Sequence, residues 1–186
     1  MKTVQEEHGA EVEIKRSRFI AHLVPFAQFK KRLEALREAH PKANHHVTAF
    51  RHLNEHDQVV EGSRDDGEPS GTSGPPALKV LQGNDLINVG VIIIRYFGGT
   101  KLGTGGLARA YALATATVIE EADLSVWQKQ SCGEVSLDFS QLSAFERDCG
   151  QAGLHIEERK FHAEGVTVSI QGGKTAIDAI LLKWNE

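Results

Sequence analysis

The chain has 186 residues, enough for one domain of ordinary size or for two small ones. Its hydrophobic content of 40% and charged content of 25% are typical of a folded protein and exclude a disordered chain. A net charge of -4 excludes a polycation, so any binding of nucleic acid must depend on a local basic patch. The charge is also uneven, because residues 1–122 are neutral overall and residues 123–186 carry the whole -4.

Signals for export or membrane insertion are not visible in the sequence. The N-terminal segment has no apolar stretch typical of a secretion signal, and the longest apolar run, VGVIII, is far shorter than a membrane span. The two cysteines, Cys132 and Cys149, have no metal-type spacing and suit a reducing compartment. We therefore expect a cytoplasmic protein that has no membrane partner.

Strands and helices are predicted in turn over the first part of the chain. Residues 11–26 predict a strand or a strand pair, in which the stretch KRSRF is either a charged strand edge or part of a basic surface. Apolar residues at helical spacing predict a helix over 26–39 that ends before the next proline. Residues 45–53 predict a strand, and the chain returns over 59–62 after a polar turn.

Histidines are concentrated in this region, which raises the hypothesis of a metal site. Five of the nine lie between His40 and His56. His45 and His46 are adjacent, so they would face opposite sides of a strand. A turn separates His52 from His56. We therefore favour exposed or hydrogen-bonded histidines over metal ligands.

The acidic segment, SRDDGEPSGTSGPP at residues 63–76, is too polar and too rich in glycine and proline for a helix or a strand. Its carboxylates Asp65, Asp66 and Glu68 could hold Mg²⁺ beside a phosphate, or act as acid and base. Alternatively they bond the backbone of a long turn, which composition alone favours. The two prolines at its end are typical of the start of a helix, and this helix is predicted to stop near residue 83.

The glycine-rich segment, VGVIIIRYFGGTKLGTGGLARAYALA at residues 89–114, organises the chain. It begins with an apolar β-branched run that predicts a strand buried on both faces, and a helix is predicted from Leu107 onward. Five glycines fall between these elements within nine residues, so the backbone can take positive φ and approach a ligand closely. Free N–H groups and the helix dipole would point into such a turn, which favours an anion site.

Three cations, Arg95, Lys101 and Arg109, lie in this segment with no acidic residue beside them. They complete a candidate surface for an anion or a nucleic acid, made of Arg95, Tyr96, Gly98, Gly99, Lys101, Gly103, Gly105, Gly106 and Arg109. Arg95 alternatively forms a buried ion pair with Asp65 or Asp66, because a charge beside a buried strand needs a partner.

Two well-known phosphate motifs do not fit the glycine-rich segment. Its match to G-x-G-x-x-A is weak evidence for a dinucleotide fold, because that fold needs an acidic residue after the next strand, whereas Asp123 precedes the next predicted strand. The lysine of a P-loop is also missing. We therefore reject an NAD site and a P-loop, and keep a less specific anion contact.

The order β-α-β-β-α is predicted for residues 123–186, after a connector over 123–130. This order is typical of a small module of the split βαβ type. Its first strand is predicted from the alternation of Val135, Leu137 and Phe139, and its hairpin turns across residues 163–165.

Taken together, these segments resemble the YigZ/IMPACT family. The resemblance rests on four blocks in the family's order: KRSRF at 15–19, HH and AFR within 45–51, DDGEPSGTSGPP at 65–76, and IIIRYFGGTKLGTGGLARAY at 92–111. His45, in the second block, is a further candidate site residue. Val47 stands where relatives often have cysteine, which argues against thiol chemistry there, and Ser73 stands where they usually have alanine.

The resemblance implies an α+β protein of two domains. The first, over 1–122, would have the left-handed βαβ fold of a small-subunit ribosomal protein and of domain IV of elongation factor G. The second, over 123–186, would be ferredoxin-like, as domain V of that factor is. Eukaryotic relatives regulate translation by competing for the co-activator of the kinase that senses amino-acid starvation, largely through a separate N-terminal domain. This chain begins almost directly at the family block, so we expect that mechanism not to carry over.

Three functions remain open at this stage. The leading hypothesis is a non-catalytic factor in translation regulation that is associated with RNA or the ribosome. The second is a Mg²⁺-dependent enzyme or binder acting on a nucleotide or a phosphorylated small molecule, with Asp65, Asp66 and Glu68 as metal ligands. The third is a protein–protein adaptor in translation control. We assign no catalytic residue, and Mg²⁺ is the one cofactor that the sequence suggests.

Overall fold

The computed structural model describes residues 1–184 and divides the chain into two units, Met1–Trp127 and a second that begins at Gln128. The elements of the first unit are β1 (Lys2–Thr3), β2 (His8–Ile14), β3 (Ser17–Pro25), α1 (Phe26–Ala39), β4 (His45–Leu53), β5 (Val59–Arg64), α2 (Gly74–Gly83), β6 (Val89–Tyr96), α3 (Gly103–Glu120) and β7 (Ser125–Val126). Those of the second are β8 (Gln130–Leu137), α4 (Leu142–Gln151), β9 (His155–Phe161), β10 (Val166–Gly173) and α5 (Lys174–Trp184). Both units combine helices with antiparallel sheets, so the protein is a two-domain α+β protein.

A five-stranded sheet in the order β2-β3-β6-β4-β5 forms the centre of the first unit. β3 and β4 lie on either side of β6 and both pair antiparallel with it. The two strands that α1 connects are therefore parallel to each other. Ile92 and Ile94 of β6 face α1, whereas Val91 and Ile93 join the core under α2 and α3. β6 is therefore buried on both faces, as its β-branched run predicts.

The basic stretch KRSRF makes the turn of a hairpin. Lys15 (φ 47°) and Arg16 (φ 66°) both take positive φ between β2 and β3. Two-residue hairpin turns whose twist matches that of the strands need positive φ at both positions. The strand pair predicted over 11–26 is confirmed, and Lys15 and Arg16 are exposed at its tip.

The helix predicted from Leu107 begins four residues earlier than expected. α3 starts at Gly103, whose backbone has a φ of 73°, so Gly105 and Gly106 lie within the helix and do not belong to the turn. The low helix propensity of glycine predicts that these residues lie outside the helix. Packing of Leu107, Ala110 and the residues one turn further on into the core outweighs that local preference.

In the second unit, β8, β10 and β9 form an antiparallel sheet that α4 and α5 cover. The predicted order β-α-β-β-α is confirmed. The predicted alternation ends one step early, because β8 stops at Leu137 and Phe139 is 53% exposed. Within the predicted connector, β7 pairs with β1, so residues 123–127 belong to the first unit.

The helices within residues 1–184 are all too short or too polar to cross a membrane. Cys132 is exposed and Cys149 is buried, and both are free thiols.

Candidate binding cleft between the acidic and glycine-rich segments

The acidic and the glycine-rich segments meet at one cleft of about 370 Å³ in the first unit. Glu68 and Pro69 of the acidic segment form one wall. Arg95 and Phe97, at the end of β6, form another. Residues 101–104, with Leu107 one turn into α3, close the third side. The two segments that carry the family resemblance are therefore neighbours in space.

A buried ion pair fixes the back of this cleft. The guanidinium of Arg95 binds Oε1 of Glu68, and the two side chains are 6% and 3% exposed. The hydroxyl of Tyr111 donates a second hydrogen bond to the same oxygen at 2.8 Å. A buried ion pair for Arg95 was one of the two sequence alternatives, but its partner is Glu68 and not Asp65 or Asp66.

The phenol of Tyr111 serves as a hydrogen-bond donor and not as a base. Burial raises its pKa far above the ordinary value, and the negative charge of Glu68 raises the pKa further. Tyr111 therefore stays protonated at neutral pH. Its ring packs edge-on against Phe19 at 5.1 Å, so the donor is held in place by the core.

Aromatic rings surround the charge of Arg95. Its guanidinium carbon lies 5.5 Å from the ring centre of Phe19 and 5.7 Å from that of Phe97. Nε of Arg95 is buried and has no hydrogen-bond partner among the described residues. On the other side of the pair, His45 Nε2 lies 3.7 Å from Glu68 Oε2. His45 therefore belongs to the surroundings of the cleft, as its place in the HH block suggests.

Asp65 holds the acidic segment together. Its Oδ1 accepts hydrogen bonds from the N–H of Ser73 (3.0 Å), the N–H of Gly74 (2.9 Å) and the hydroxyl of Ser73 (2.6 Å). Its Oδ2 accepts from the N–H of Gly71 at 2.8 Å. The hydroxyl of Ser73 thus supplies one of these donors. The interpretation that the carboxylate bonds its own turn is correct for Asp65.

Asp66 binds donors different from those of Glu68 and Asp65. Its carboxylate accepts from the backbone N–H of His46 at 2.7 Å and from Arg37 at 3.1 Å, on the side of the sheet that faces α1. The three carboxylates thus bind three different sets of donors and do not converge. Among residues 1–184, no group of three acidic, histidine or cysteine residues is arranged to hold a metal ion. The predicted magnesium ligands therefore do not form a set that fits the ion.

We expect the acidic segment to lose stability in acid through Asp65. Burial raises its pKa, but the Ser73 hydroxyl and the backbone N–H groups outweigh burial and leave the pKa below its ordinary value. Unfolded chains have an Asp pKa of about 3.9. The stabilisation is therefore complete above that pH and is lost as the pH falls through the folded-state pKa. Asp65→Asn keeps an acceptor but loses the charge that strengthens these hydrogen bonds, so it should cost about 1–2 kcal/mol at pH 7.

Thermal unfolding of both proteins between pH 7 and pH 2.5 checks this expectation. The difference in stability between the wild type and Asp65→Asn should shrink as the pH falls. An equal difference at every pH would mean that the charge of Asp65 has no part in the effect.

The two exposed cations of the glycine-rich segment, Lys101 and Arg109, lie in different places. Lys101 lies on the rim of the cleft and forms no ion pair among the described residues. Arg109 is also exposed, but it does not line the cleft. Its side chain lies back along the outer face of α3, with Nη1 3.7 Å from the place where a Cβ on Gly105 would be. The three predicted cations therefore do not form one patch. Arg95 is buried in an ion pair, Lys101 lies on the rim of the cleft, and Arg109 lies elsewhere on α3.

Other predicted residues of this surface have structural roles. Tyr96 points to the opposite face of the sheet, where its hydroxyl and His40 Nδ1 are 2.9 Å apart. The N–H of Gly98 donates to the hydroxyl of Ser17 at 3.1 Å. Gly99 (φ 86°) and Gly103 (φ 73°) take the left-handed conformation that favours glycine, and Gly103 lines the cleft.

Sequence reasoning missed most of the apolar lining of the cleft, and Phe97 is the exception. Pro69, Leu102 and Leu107 contribute to it, and Phe97 is 47% exposed at its mouth. A signal for Phe97 was available, because alternation along β6 places it on the same face as Arg95. Pro69 and Leu102 carried no such signal, since each lies outside a helix or a strand.

Comparisons with known proteins point to one family. A family model described as the Impact N-terminal domain matches residues 15–119, which include every residue that lines the cleft. The chain is 37% identical over 156 residues to "IMPACT family member YigZ" of Escherichia coli (strain K12), covering 81% of this chain and 76% of that protein. It is 34% identical over 160 residues to an "IMPACT family member" of Haemophilus influenzae, covering 82% of this chain and 76% of that one. A crystal structure of a hypothetical protein is similar over 98% of this chain and 89% of that one, with a TM-score of 0.68 and 28% sequence identity.

Proposed function

The chain belongs to the YigZ/IMPACT family, and we propose that it is a non-catalytic factor in translation regulation that associates with RNA or the ribosome. The family resemblance supplies the link to translation. One observation supports a binding role for this chain: the exposed ring of Phe97 lies at the mouth of one cleft beside Lys101, which forms no ion pair within residues 1–184.

This pairing of groups fits a single-stranded segment of RNA. A base presents a flat face that stacks on an aromatic ring, while the phosphate beside it contacts a cation. The interior of the cleft, with Leu102 and Leu107, is apolar and suits a base better than a phosphate. At about 370 Å³ the cleft is at the small end of the range of ligand pockets.

The buried pair of Arg95 and Glu68 supports the proposal indirectly. It ties β6 to the acidic segment, and Tyr111 ties both to α3. The walls of the cleft therefore keep their spacing without a ligand, which lowers the entropic cost of binding. Arg95 itself is neutralised by Glu68 and contributes little attraction for phosphate.

The Mg²⁺-dependent alternative has less support from this geometry. It needs carboxylates that are free to coordinate the ion, whereas Asp65, Asp66 and Glu68 each bind protein donors. Tyr111, which stays protonated, cannot act as a base. These contacts favour a binding role for the cleft over a catalytic one.

Co-sedimentation with ribosomes and with total RNA across a salt series tests the proposal. We expect the wild type to pellet at low salt and to be released as salt rises, since phosphate contacts release counterions. Lys101→Glu should lose most of this pelleting. Arg109→Glu should lose less, because Arg109 lies outside the cleft.

Lys79→Glu is the matched control, since Lys79 is exposed on α2 and does not line the cleft. It should pellet as the wild type does. Absence of pelleting at low salt, or equal pelleting of the wild type and Lys101→Glu, would contradict the proposal and favour the protein–protein adaptor.

A further inference from the structure

We propose that the opposite face of the five-stranded sheet carries a second binding site, which takes the nucleoside-phosphate unit of a free nucleotide or of a single RNA strand. The site is a groove of about 490 Å³ between α1 and the strands β4 and β5. It shares no lining residue with the cleft at Lys101. The inference therefore does not depend on the proposed function.

The groove forms because α1 covers only part of its face of the sheet. Apolar side chains of α1 pack on β3 and β6, where Ile92 and Ile94 form their core. β4 and β5 continue the sheet beyond this core. His46, Thr48 and Phe50, at alternating positions of β4, thus face a space with α1 on one side and β5 on the other.

An aromatic floor lies at one end of the groove. The rings of Phe29 and Phe50 are 5.8 Å apart, and both are half-buried. The ring of Phe50 lies across β5, because Gly62 opposite it has no side chain. A Cβ on Gly62 would lie 2.8 Å from Cζ of Phe50. The sequence thus leaves room for a partly exposed aromatic face, on which a base can stack.

Cations line the other part of the groove. Lys30 and Arg37 come from α1, and Arg64 comes from the end of β5. Arg37 is paired with Asp66, at 3.1 Å. Lys30 and Arg64 form no ion pair among the described residues, although the chain as a whole carries a net charge of -4. The groove therefore presents two uncompensated positive charges beside an aromatic surface, which matches a phosphate beside a base.

A buried histidine forms part of the wall of the groove. His46 lines the groove and is 8% exposed, and its Nε2 has no hydrogen-bond partner among residues 1–184. An unpaired buried polar atom costs free energy, so such atoms in native proteins need an explanation. The backbone N–H of His46 is bound to Asp66 at 2.7 Å, which fixes the strand at this point.

Site-resolved NMR titration of the full chain tests the proposal with two probes, adenosine 5′-monophosphate and hexaadenylate. We expect shifts of the backbone amides of residues 46–50 and 60–64 with at least one probe. Saturation by the monophosphate would identify a free nucleotide as a sufficient ligand, and saturation by the hexanucleotide alone would identify a strand. Either result supports the site.

Two variants test the groups that carry the argument. Lys30→Gln/Arg64→Gln should weaken binding about tenfold and should reduce the salt slope for the hexanucleotide by roughly 1.4, since each phosphate contact on a single strand contributes about 0.7. Phe50→Leu, which keeps an apolar side chain, should weaken binding about tenfold through lost stacking.

Lys31→Gln/Lys79→Gln is the control, because both lysines are exposed on helices and neither lines the groove. It should bind as the wild type does. No shift at residues 46–50 and 60–64 with millimolar concentrations of either probe would overturn the proposal. Unchanged affinity in both Lys30→Gln/Arg64→Gln and Phe50→Leu would overturn it as well.

Discussion

Replacing Glu68 by glutamine should destabilise the protein by about 3–5 kcal/mol, the range for removing one partner of a buried ion pair. The substitution keeps the shape of the side chain but leaves the guanidinium of Arg95 charged and unpaired in a site where it is 6% exposed. Tyr111 would keep an acceptor, so the loss should arise mainly from the charge of Arg95. Urea unfolding, followed by circular dichroism, measures the change in the free energy of unfolding.

Glu11→Gln is the matched control, since it removes the same charge from a pair with Arg18 in which both side chains are more than 40% exposed. Exposed pairs contribute about 0–1 kcal/mol, so the control should differ little from the wild type. The double variant Glu68→Leu/Arg95→Met removes both charges at once and should recover much of the lost stability. A loss for Glu68→Gln as small as that of the control would show that the pair is not desolvated in solution.

The second large effect is expected at Gly98, where alanine should cost about 3 kcal/mol or more. A Cβ there would lie 2.0 Å from the carbonyl carbon and 2.2 Å from the carbonyl oxygen of Arg16, and 2.4 Å from the nitrogen of Ser17. All three are backbone atoms of the β2–β3 turn, so no side-chain rotation relieves the contact. The variant must separate the turn from the end of β6 and break the Gly98–Ser17 hydrogen bond.

Gly105→Ala provides the contrast within the same segment. Gly105 is exposed in the first turn of α3, and a Cβ there would approach only the side chain of Arg109, at 3.7 Å. Alanine is the better helix former, so this variant should gain about 0.5–1 kcal/mol. Thermal unfolding of both variants checks the pair of expectations. Equal losses for the two would show that the glycines have a common role, which the structure does not give them.

These two predictions depend on contacts that the sequence could not supply. The pattern around residues 26–39 and 45–53 predicts α1 and β4 with their observed bounds, because periodicity and the flanking proline are local signals. The burial of β6 on both faces follows from its β-branched run in the same way. The start of α3 could not be predicted, since three glycines there oppose a helix that the core stabilises.

In the candidate site, too, some features follow from local sequence and others depend on tertiary contacts. The sequence alone identified the acidic and glycine-rich segments and their chemistry, because residue types and spacing determine these properties. It left a carboxylate partner for Arg95 as one of two alternatives. Only the tertiary structure decided that the carboxylate is Glu68, that the two segments share a cleft, and that Lys101 lies at its mouth while Arg109 does not. Each of these depends on which face of a strand or helix a side chain occupies, and on how the acidic segment crosses the end of β6. Such relations join residues that are far apart in the chain, so no local pattern encodes them.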